Sequence, residues 1–275
     1  MSEPKITFIG GGNMARAIYS GLVESGFPAE NIGVVDPSEA AQSAARASGL
    51  IRIAESATDA DLSADLIVLA VKPQITDIAL SPLAHRVSST ATVLSIIAGI
   101  NSASLANLLG LPNDDAVVRS MPNTPALVGE GMTGLFSNSD QRAHGRILAE
   151  RVMSAVGQCV WVSNESDLDL VTAISGSGPA YFFLFMESLA DAAVELGMSP
   201  QTAHQLSVQT ALGAAKLAQT SDDGLAKLRE NVTSPGGTTE QAIESFEASE
   251  LRAIVMSATR AAKKRSIELS EEFGL

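Results

Sequence analysis

The feature of the sequence that most constrains its fold is a glycine turn near the start of the chain. A strand-like run ends at Ile9, Gly10-Gly11-Gly12 follows, and Asn13-Met14-Ala15 begins a helical pattern. This order matches G-x-G-x-x-G/A, in which Gly10 permits the sharp bend and Gly12 lets the backbone approach a pyrophosphate. The N-terminus of the helix offers unpaired N–H groups to that anion. The turn therefore predicts a strand–turn–helix unit that binds a dinucleotide, although a tight turn made for packing alone would use the same residues.

The rest of the chain divides into an alternating part and a helical part. From Lys5 to about Val162, short β-rich runs alternate with helical patterns, which is typical of βαβ units and a mostly parallel sheet. Seven runs are predicted as strands: 6–9, 32–35, 66–71, 92–97, 117–119, 131–136 and 159–162. Beyond them the pattern is helical. We expect an α/β protein with a Rossmann-like doubly wound sheet in residues 1–162 and an all-α domain in residues 163–275.

One helix of the second domain is predicted to need a partner. Pro179 can open a helix, and the following run from Tyr181 to Met186 is apolar on every face, so that other helices should enclose it. The run is far shorter than the roughly 20 residues of a membrane span. Burial this complete in a small domain indicates a second subunit, so we expect a dimerisation domain.

Composition restricts the class of partner and the compartment. The chain has 31 acidic and 18 basic residues and a formal charge of -13, which repels nucleic acids and anionic membranes. A single cysteine, Cys159, forms no internal disulfide, and the N-terminus lacks an export signal, so we expect a cytoplasmic protein. The three histidines lack metal-ligand spacing, and no metal is predicted.

Two residues at predicted strand ends are candidates for the cofactor. Asp36 ends the second strand, where an acid can bind the adenosine ribose; it can equally be a helix cap before Pro37. Lys72 ends the third long strand, where it can face a ribose or phosphate or simply be solvated. Both interpretations remain open at each position.

Three loops display polar groups at the starts of helices or just after a strand. Asn123 is held between Pro122 and Pro125, as a ligand contact or an ordinary turn. The loops 175–179 and 232–239 each precede a helix, and their N–H and hydroxyl groups suit a carboxylate, although helix capping explains them equally well.

These motifs, taken in order, resemble pyrroline-5-carboxylate reductase. The resemblance rests on residues 10–15, 70–74, 119–125, 175–181 and 233–239 and extends over nearly the whole chain. It implies a Rossmann-like domain, a helical domain that interleaves with that of a partner, and NAD(P)H-dependent reduction of 1-pyrroline-5-carboxylate to L-proline. A homodimer or a ring of dimers is the expected assembly.

The resemblance also implies the site residues. The expected cofactor-binding residues are Gly10, Gly12, Asn13, Met14, Asp36, Ser38, Ser56, Ala70, Val71, Lys72, Pro73, Asn123 and Ser177. The expected substrate-binding residues are Asp222, Ser234, Gly236, Gly237, Thr238 and Thr239, and the Thr239 hydroxyl has the catalytic role of binding the ring nitrogen. Two positions depart from the family pattern.

The first departure is Asp36, since many members have a small residue there. A carboxylate disfavours the 2′-phosphate of NADP(H), although Ser38 offers a hydroxyl to it, so NAD(H) and NADP(H) both remain candidates. The second departure is Asp222, where relatives carry Glu.

Two other functions were weighed. A β-hydroxyacid dehydrogenase shares the glycine turn, but it has a catalytic G-x-G-x-x-x-K pattern, and no lysine follows Gly178 before Lys216. A non-catalytic dinucleotide-binding oligomer would keep the fold and lose the chemistry, and the intact loop 234–239 argues against it.

Overall fold

The chain folds into two compact units. The computed structural model describes residues 3–60, 62–139 and 143–273. One unit comprises Met1–Ser177 and Ala262–Leu275, and the other comprises Gly178–Ala261. In the first unit, the helical segment up to Ser177 groups with the sheet. The C-terminal segment does so as well, since Phe273 packs against the core of the first unit.

An eight-stranded sheet organises the described part of the first unit. Its strands are β1 (Ile6–Ile9), β2 (Ile32–Val35), β3 (Arg52–Ala54), β4 (Leu66–Leu69), β5 (Thr92–Ser95), β6 (Val117–Met121), β7 (Gly131–Ser137) and β8 (Gly157–Trp161). They lie in the order β3-β2-β1-β4-β5-β6-β7-β8. Among the described strands, only β6 and β7 pair antiparallel. The doubly wound Rossmann-like fold is confirmed, and β3, a three-residue strand that starts with Arg52, is the strand that the sequence pattern did not predict.

Helices connect the strands and form the second unit. Those of the first unit are α1 (Asn13–Glu24), α2 (Glu39–Ala47), α3 (Thr76–Leu80), α4 (Ser102–Leu109), α5 (Ala143–Ser154) and α6 (Asp167–Val171), followed by a π-helical turn, Thr172–Gly176. Short 3-10 helices lie at Ala29–Asn31, Pro73–Ile75, Ser81–Leu83 and Thr124–Val128. The second unit contains α7 (Gly178–Glu195), α8 (Pro200–Thr220), α9 (Leu225–Asn231), α10 (Thr238–Ala248) and most of α11 (Leu251–Phe273).

Two apolar clusters cover the faces of the sheet. Alternate residues of β1 point to opposite faces, so Phe8 joins one cluster while Ile9 joins the other. The first cluster includes the buried face of α1, with Ile18 and Leu22. Burial on both faces explains why the central strands are continuous apolar runs. Their parallel direction places their carboxyl ends along one edge of the sheet.

The second unit exposes large apolar side chains. On α7, Phe182 is 67% exposed and Phe183 is 62% exposed, although α7 and α8 pack on each other. The expectation that this helix is enclosed by others is therefore not met within one chain. Among the described residues, one helical stretch, Asp167–Glu195, matches a membrane span in length and hydropathy alone, and 17% of its 18-residue apolar window is buried.

Candidate active site

The glycine turn joins β1 to α1 at the carboxyl edge of the sheet. Gly10 has a φ of 101°, and a Cβ there would lie 2.6 Å from the carbonyl oxygen of Ala70. Only glycine therefore fits between the two strand ends. A Cβ on Gly12, in contrast, would meet nothing within 4 Å, so open space adjoins the backbone there. Gly10 and Gly12 thus have the two geometries that the glycine pattern predicts.

The start of α1 suits an anion. Gly12 is its N-cap and provides no side-chain hydrogen bond, and the first turn holds no acidic residue. Within the described chain, the N–H groups of Asn13, Met14 and Ala15 have no acceptor, which is usual for a first helical turn. These groups and the open space beside Gly12 fit the pyrophosphate of a dinucleotide.

Asp36 follows β2 and is held by two backbone donors. The N–H of Gly11 donates to its Oδ2 at 2.7 Å, and the N–H of Ser38 donates to its Oδ1 at 2.8 Å. Ser38, not Asp36, is the N-cap of α2. A carboxylate accepts about four hydrogen bonds, so its two oxygens retain capacity for ribose hydroxyls. The carboxylate is therefore fixed next to the glycine turn. It can hold the turn in place and bind a ligand at the same time.

The remaining predicted cofactor residues of the first unit lie at neighbouring strand ends. Ser56 follows β3, and its hydroxyl is hydrogen-bonded to that of Thr58. Ala70, Val71, Lys72 and Pro73 follow β4; Lys72 is exposed and precedes the 3-10 helix that Pro73 opens. Since β2, β3 and β4 run parallel, these residues share one edge of the sheet with the glycine turn.

Asn123 and Ser177 lie at the far end of the same edge. Asn123, which is 8% exposed, follows β6 and donates through Nδ2 to the carbonyl of Ser175 at 3.0 Å. Its Oδ1 accepts from the N–H of Met132 at 2.9 Å. Ser177 closes the π-helical turn by donating its N–H to the carbonyl of Thr172 at 2.8 Å. Such π turns are rare and frequent at functional sites.

The predicted substrate loop lies in the second unit as a tight turn before α10. The N–H of Gly237 donates to the carbonyl of Ser234 at 2.9 Å, which closes a β-turn with Pro235 at its second position. Gly236, at the third position, has a φ of 72°, a conformation that residues with a side chain rarely adopt. The sequence Ser-Pro-Gly-Gly therefore has a local reason to form this turn.

The turn leaves donors exposed at the start of α10. Thr238 and Thr239 are its first two residues, and in the described part of the chain their N–H groups and that of Glu240 have no acceptor. The N–H of Gly236 is engaged differently, because it donates to Oε2 of Glu240 at 2.7 Å. Asp222 lies apart in sequence, exposed in the segment between α8 and α9.

The comparisons with known proteins agree along the whole chain. A family model described as pyrroline-5-carboxylate reductase dimerisation matches residues 165–269, and one described as NADP oxidoreductase coenzyme F420-dependent matches residues 5–99. A pyrroline-5-carboxylate reductase of Pseudomonas aeruginosa is 46% identical over 274 residues, covering 100% of both chains.

Solved structures give the same answer. A pyrroline-5-carboxylate reductase from Coxiella burnetii has a TM-score of 0.90 and 40% identity, over 98% of this chain and 99% of that chain. The Plasmodium falciparum pyrroline carboxylate reductase with NADP bound has a TM-score of 0.83 and 32% identity, with coverage of 98% and 99%.

The chain belongs to the pyrroline-5-carboxylate reductase family. The resemblance inferred from its motifs is confirmed, and the chain is an NAD(P)H-dependent oxidoreductase. These relatives do not favour a β-hydroxyacid dehydrogenase or a non-catalytic oligomer. As a member with the dimerisation region, the chain self-associates, and the matched region includes α7 with its exposed aromatic side chains.

One residue that contacts the predicted substrate loop was not among the predicted site residues. Glu240 is the third residue of α10 after the Gly237 N-cap, and its carboxylate reaches back to the N–H of Gly236. A Glu at this position is the second half of the capping-box pattern, which was the available signal. For metals, the described residues contain no group of three or more His, Cys, Asp or Glu side chains that would hold an ion.

Proposed function

We propose that the chain reduces 1-pyrroline-5-carboxylate to L-proline, and that the turn 234–237 with the first residues of α10 holds the substrate. The observation that supports this most directly is the set of unpaired N–H groups at Thr238 and Thr239, presented by a rigid turn. An N-terminal helical turn stabilises a carboxylate through its N–H groups and its dipole. The small anionic substrate has one such carboxylate on its ring.

The two glycines and Ser234 have different parts in this proposal. The N–H of Gly237 is used within the turn, and that of Gly236 is used by Glu240. We therefore assign Ser234, Gly236 and Gly237 mainly to the shape of the loop, while Thr238 and Thr239 donate to the substrate. The exposed Asp222 remains a proposed substrate neighbour, on the resemblance alone.

Thr239 is the proposed catalytic residue. A bound dinucleotide would supply hydride to the imine carbon of the substrate, and the ring nitrogen would gain basicity and a proton as it becomes an amine. The hydroxyl of Thr239, on the second residue of α10, hydrogen-bonds that nitrogen and so orients the imine. No residue with a strongly shifted pKa is required for this step.

For the cofactor, we propose that the chain prefers NADH. Asp36 fixes a carboxylate next to the glycine turn, and its two free lone-pair sites suit the ribose hydroxyls. The residues Gly10, Gly12, Asn13 and Met14 would hold the pyrophosphate, and those after β3, β4 and β6 would line the remaining length of the dinucleotide.

The assembly and the compartment complete the proposal. We propose a homodimer or a ring of dimers in the cytoplasm. The single cysteine supports this compartment. The net charge of -13 disfavours nucleic acid as a partner. The mass of the purified chain by light scattering distinguishes the two assemblies.

The substrate role is tested by replacing Thr239. We expect Thr239→Val to lower kcat by about 10- to 100-fold, because the valine has the same shape but no hydroxyl for the ring nitrogen. NADH binding, followed by nicotinamide fluorescence, should stay within about twofold, since the change removes no group that is assigned to the dinucleotide. Thr239→Ser is the matched control, because it keeps the hydroxyl and should retain most of the activity. Equal activity of all three proteins would remove the proposed role, and a wild type without pyrroline-5-carboxylate-dependent NAD(P)H oxidation would refute the function.

A further inference from the structure

A buried asparagine ties the end of β6 to the π-helical turn 172–176. Asn123 donates through Nδ2 to the carbonyl of Ser175, 52 residues later in the chain, and accepts from the N–H of Met132 through Oδ1. At 8% exposure, it uses both ends of its amide on the protein itself. Its role is therefore not limited to a direct contact with a ligand.

The Ser175 carbonyl needs this donor because of the local sequence. In an α-helix the carbonyl of residue 175 would accept from the N–H of residue 179, but Pro179 has none. The turn is already wound with five-residue spacing, since the N–H of Ser177 donates to the carbonyl of Thr172. The Asn123 amide supplies the hydrogen bond that the proline removes.

Close packing seats the π-helical turn on the same strand ends. A Cβ on Gly176 would lie 2.9 Å from Cε of Met121, the last residue of β6. On β7, a Cβ on Gly134 would lie 2.7 Å from the methyl groups of Val171. Small residues at both contacts let the helical segment approach the sheet, so the Asn123 hydrogen bond completes a rigid attachment.

The place of this attachment along the cofactor follows from the sheet order. A dinucleotide spans the switch point between β1 and β4, with its adenosine half on the side of β2 where Asp36 lies. Its nicotinamide half then extends across the ends of β4, β5 and β6. Asn123 follows β6 directly, so the π-helical turn lies at the nicotinamide end of the crevice.

We propose that Asn123 is a positioning residue for the nicotinamide: by holding the Ser175 carbonyl, it sets the turn from Ser175 to Ser177 against the ring from which hydride leaves. The inference rests on the proposed reductase reaction. Its test compares variants with an active wild type, so a wild type without activity refutes only the proposed function. Activity is also supplemented by a binding measurement that does not depend on turnover.

The variants are Asn123→Ala, Pro179→Ala and the double variant, measured in the full-length protein. NADH and ADP-ribose, which lacks the nicotinamide, serve as the two binding probes. Asn138→Ala is the matched control, because Asn138 donates to Asp114 at the opposite edge of the sheet. If Asn123→Ala does not fold, Asn123→Asp replaces it, since the carboxylate still accepts from the N–H of Met132.

We expect Asn123→Ala to weaken NADH binding and to lower kcat, each by about 10- to 100-fold, while ADP-ribose binding stays unchanged. In the Pro179→Ala background, residue 179 regains an N–H for the Ser175 carbonyl. There the Asn123→Ala change should reduce NADH binding and kcat by a factor several-fold smaller. The Asn138→Ala control should match the wild type.

Two results would overturn the inference. Equal weakening of NADH and ADP-ribose would show that Asn123 supports the crevice as a whole and not the nicotinamide end. An identical loss in both proline backgrounds would show that Asn123 does not act through the Ser175 carbonyl.

Discussion

Replacing Asp36 by Ser should change the choice of dinucleotide. The carboxylate oxygens lie 2.7 and 2.8 Å from the N–H groups of Gly11 and Ser38, which hold the charge in place. A phosphate on a ribose hydroxyl bonded to this carboxylate would lie about 5 Å away and carry a charge of about -1.5. Their repulsion is about 1 kcal/mol at the dielectric constant of water and about 5 kcal/mol at that of a protein surface.

A middle value of about 3 kcal/mol corresponds to roughly a 100-fold preference against NADPH. We therefore expect Asp36→Ser to raise kcat/KM for NADPH by about 10- to 100-fold, and to lower that for NADH by about 10-fold because the ribose loses a charged acceptor. Asp36→Asn separates the two effects, since it keeps the shape and removes the charge.

The assay measures kcat/KM for both dinucleotides at saturating substrate, in low salt and in about 0.5 M salt. Salt should narrow the difference between the cofactors in the wild type, because it screens the repulsion. An unchanged NADPH-to-NADH ratio in both variants would refute the reasoning and leave Asp36 with only its structural role beside the glycine turn.

Two further perturbations follow from single contacts. Glu240→Gln keeps an oxygen for the N–H of Gly236 but removes a charge beside the proposed substrate carboxylate, so KM for the substrate should fall about threefold at unchanged kcat; a higher KM would contradict the placement of the carboxylate. Tyr19→Phe removes a buried hydroxyl without a hydrogen-bond partner among the described residues, so the free energy of unfolding should rise by about 1 kcal/mol. Burial raises the pKa of Tyr19 above its usual value, so the unfolded state loses this proton first and the wild type loses stability as the pH rises above about 10. Denaturant unfolding should therefore show that the difference in the free energy of unfolding between Tyr19→Phe and wild type grows above that pH. A constant difference would count against this explanation.

Much of the fold and of the candidate site was predictable because it depends on neighbouring residues. The glycine turn, seven of the eight described strands of the sheet and the start of α10 follow from backbone freedom and from apolar runs of characteristic length. The strand β3 escaped because three residues carry too little pattern. The grouping of the end of α11 with the first unit depends on the packing of Phe273 against the core of that unit, which periodicity does not reveal.

The sequence by itself determined the βαβ unit, the helical second part and the Ser-Pro-Gly-Gly turn, since each is set by the conformational preferences of adjacent residues. Tertiary structure alone decided which distant groups meet. The Asp36 carboxylate accepts from Gly11, 25 residues away, and Asn123 donates to Ser175, 52 residues away. Such pairs depend on the order of strands in the sheet, and burial then makes their hydrogen bonds obligatory because an unpaired polar group inside the protein is costly.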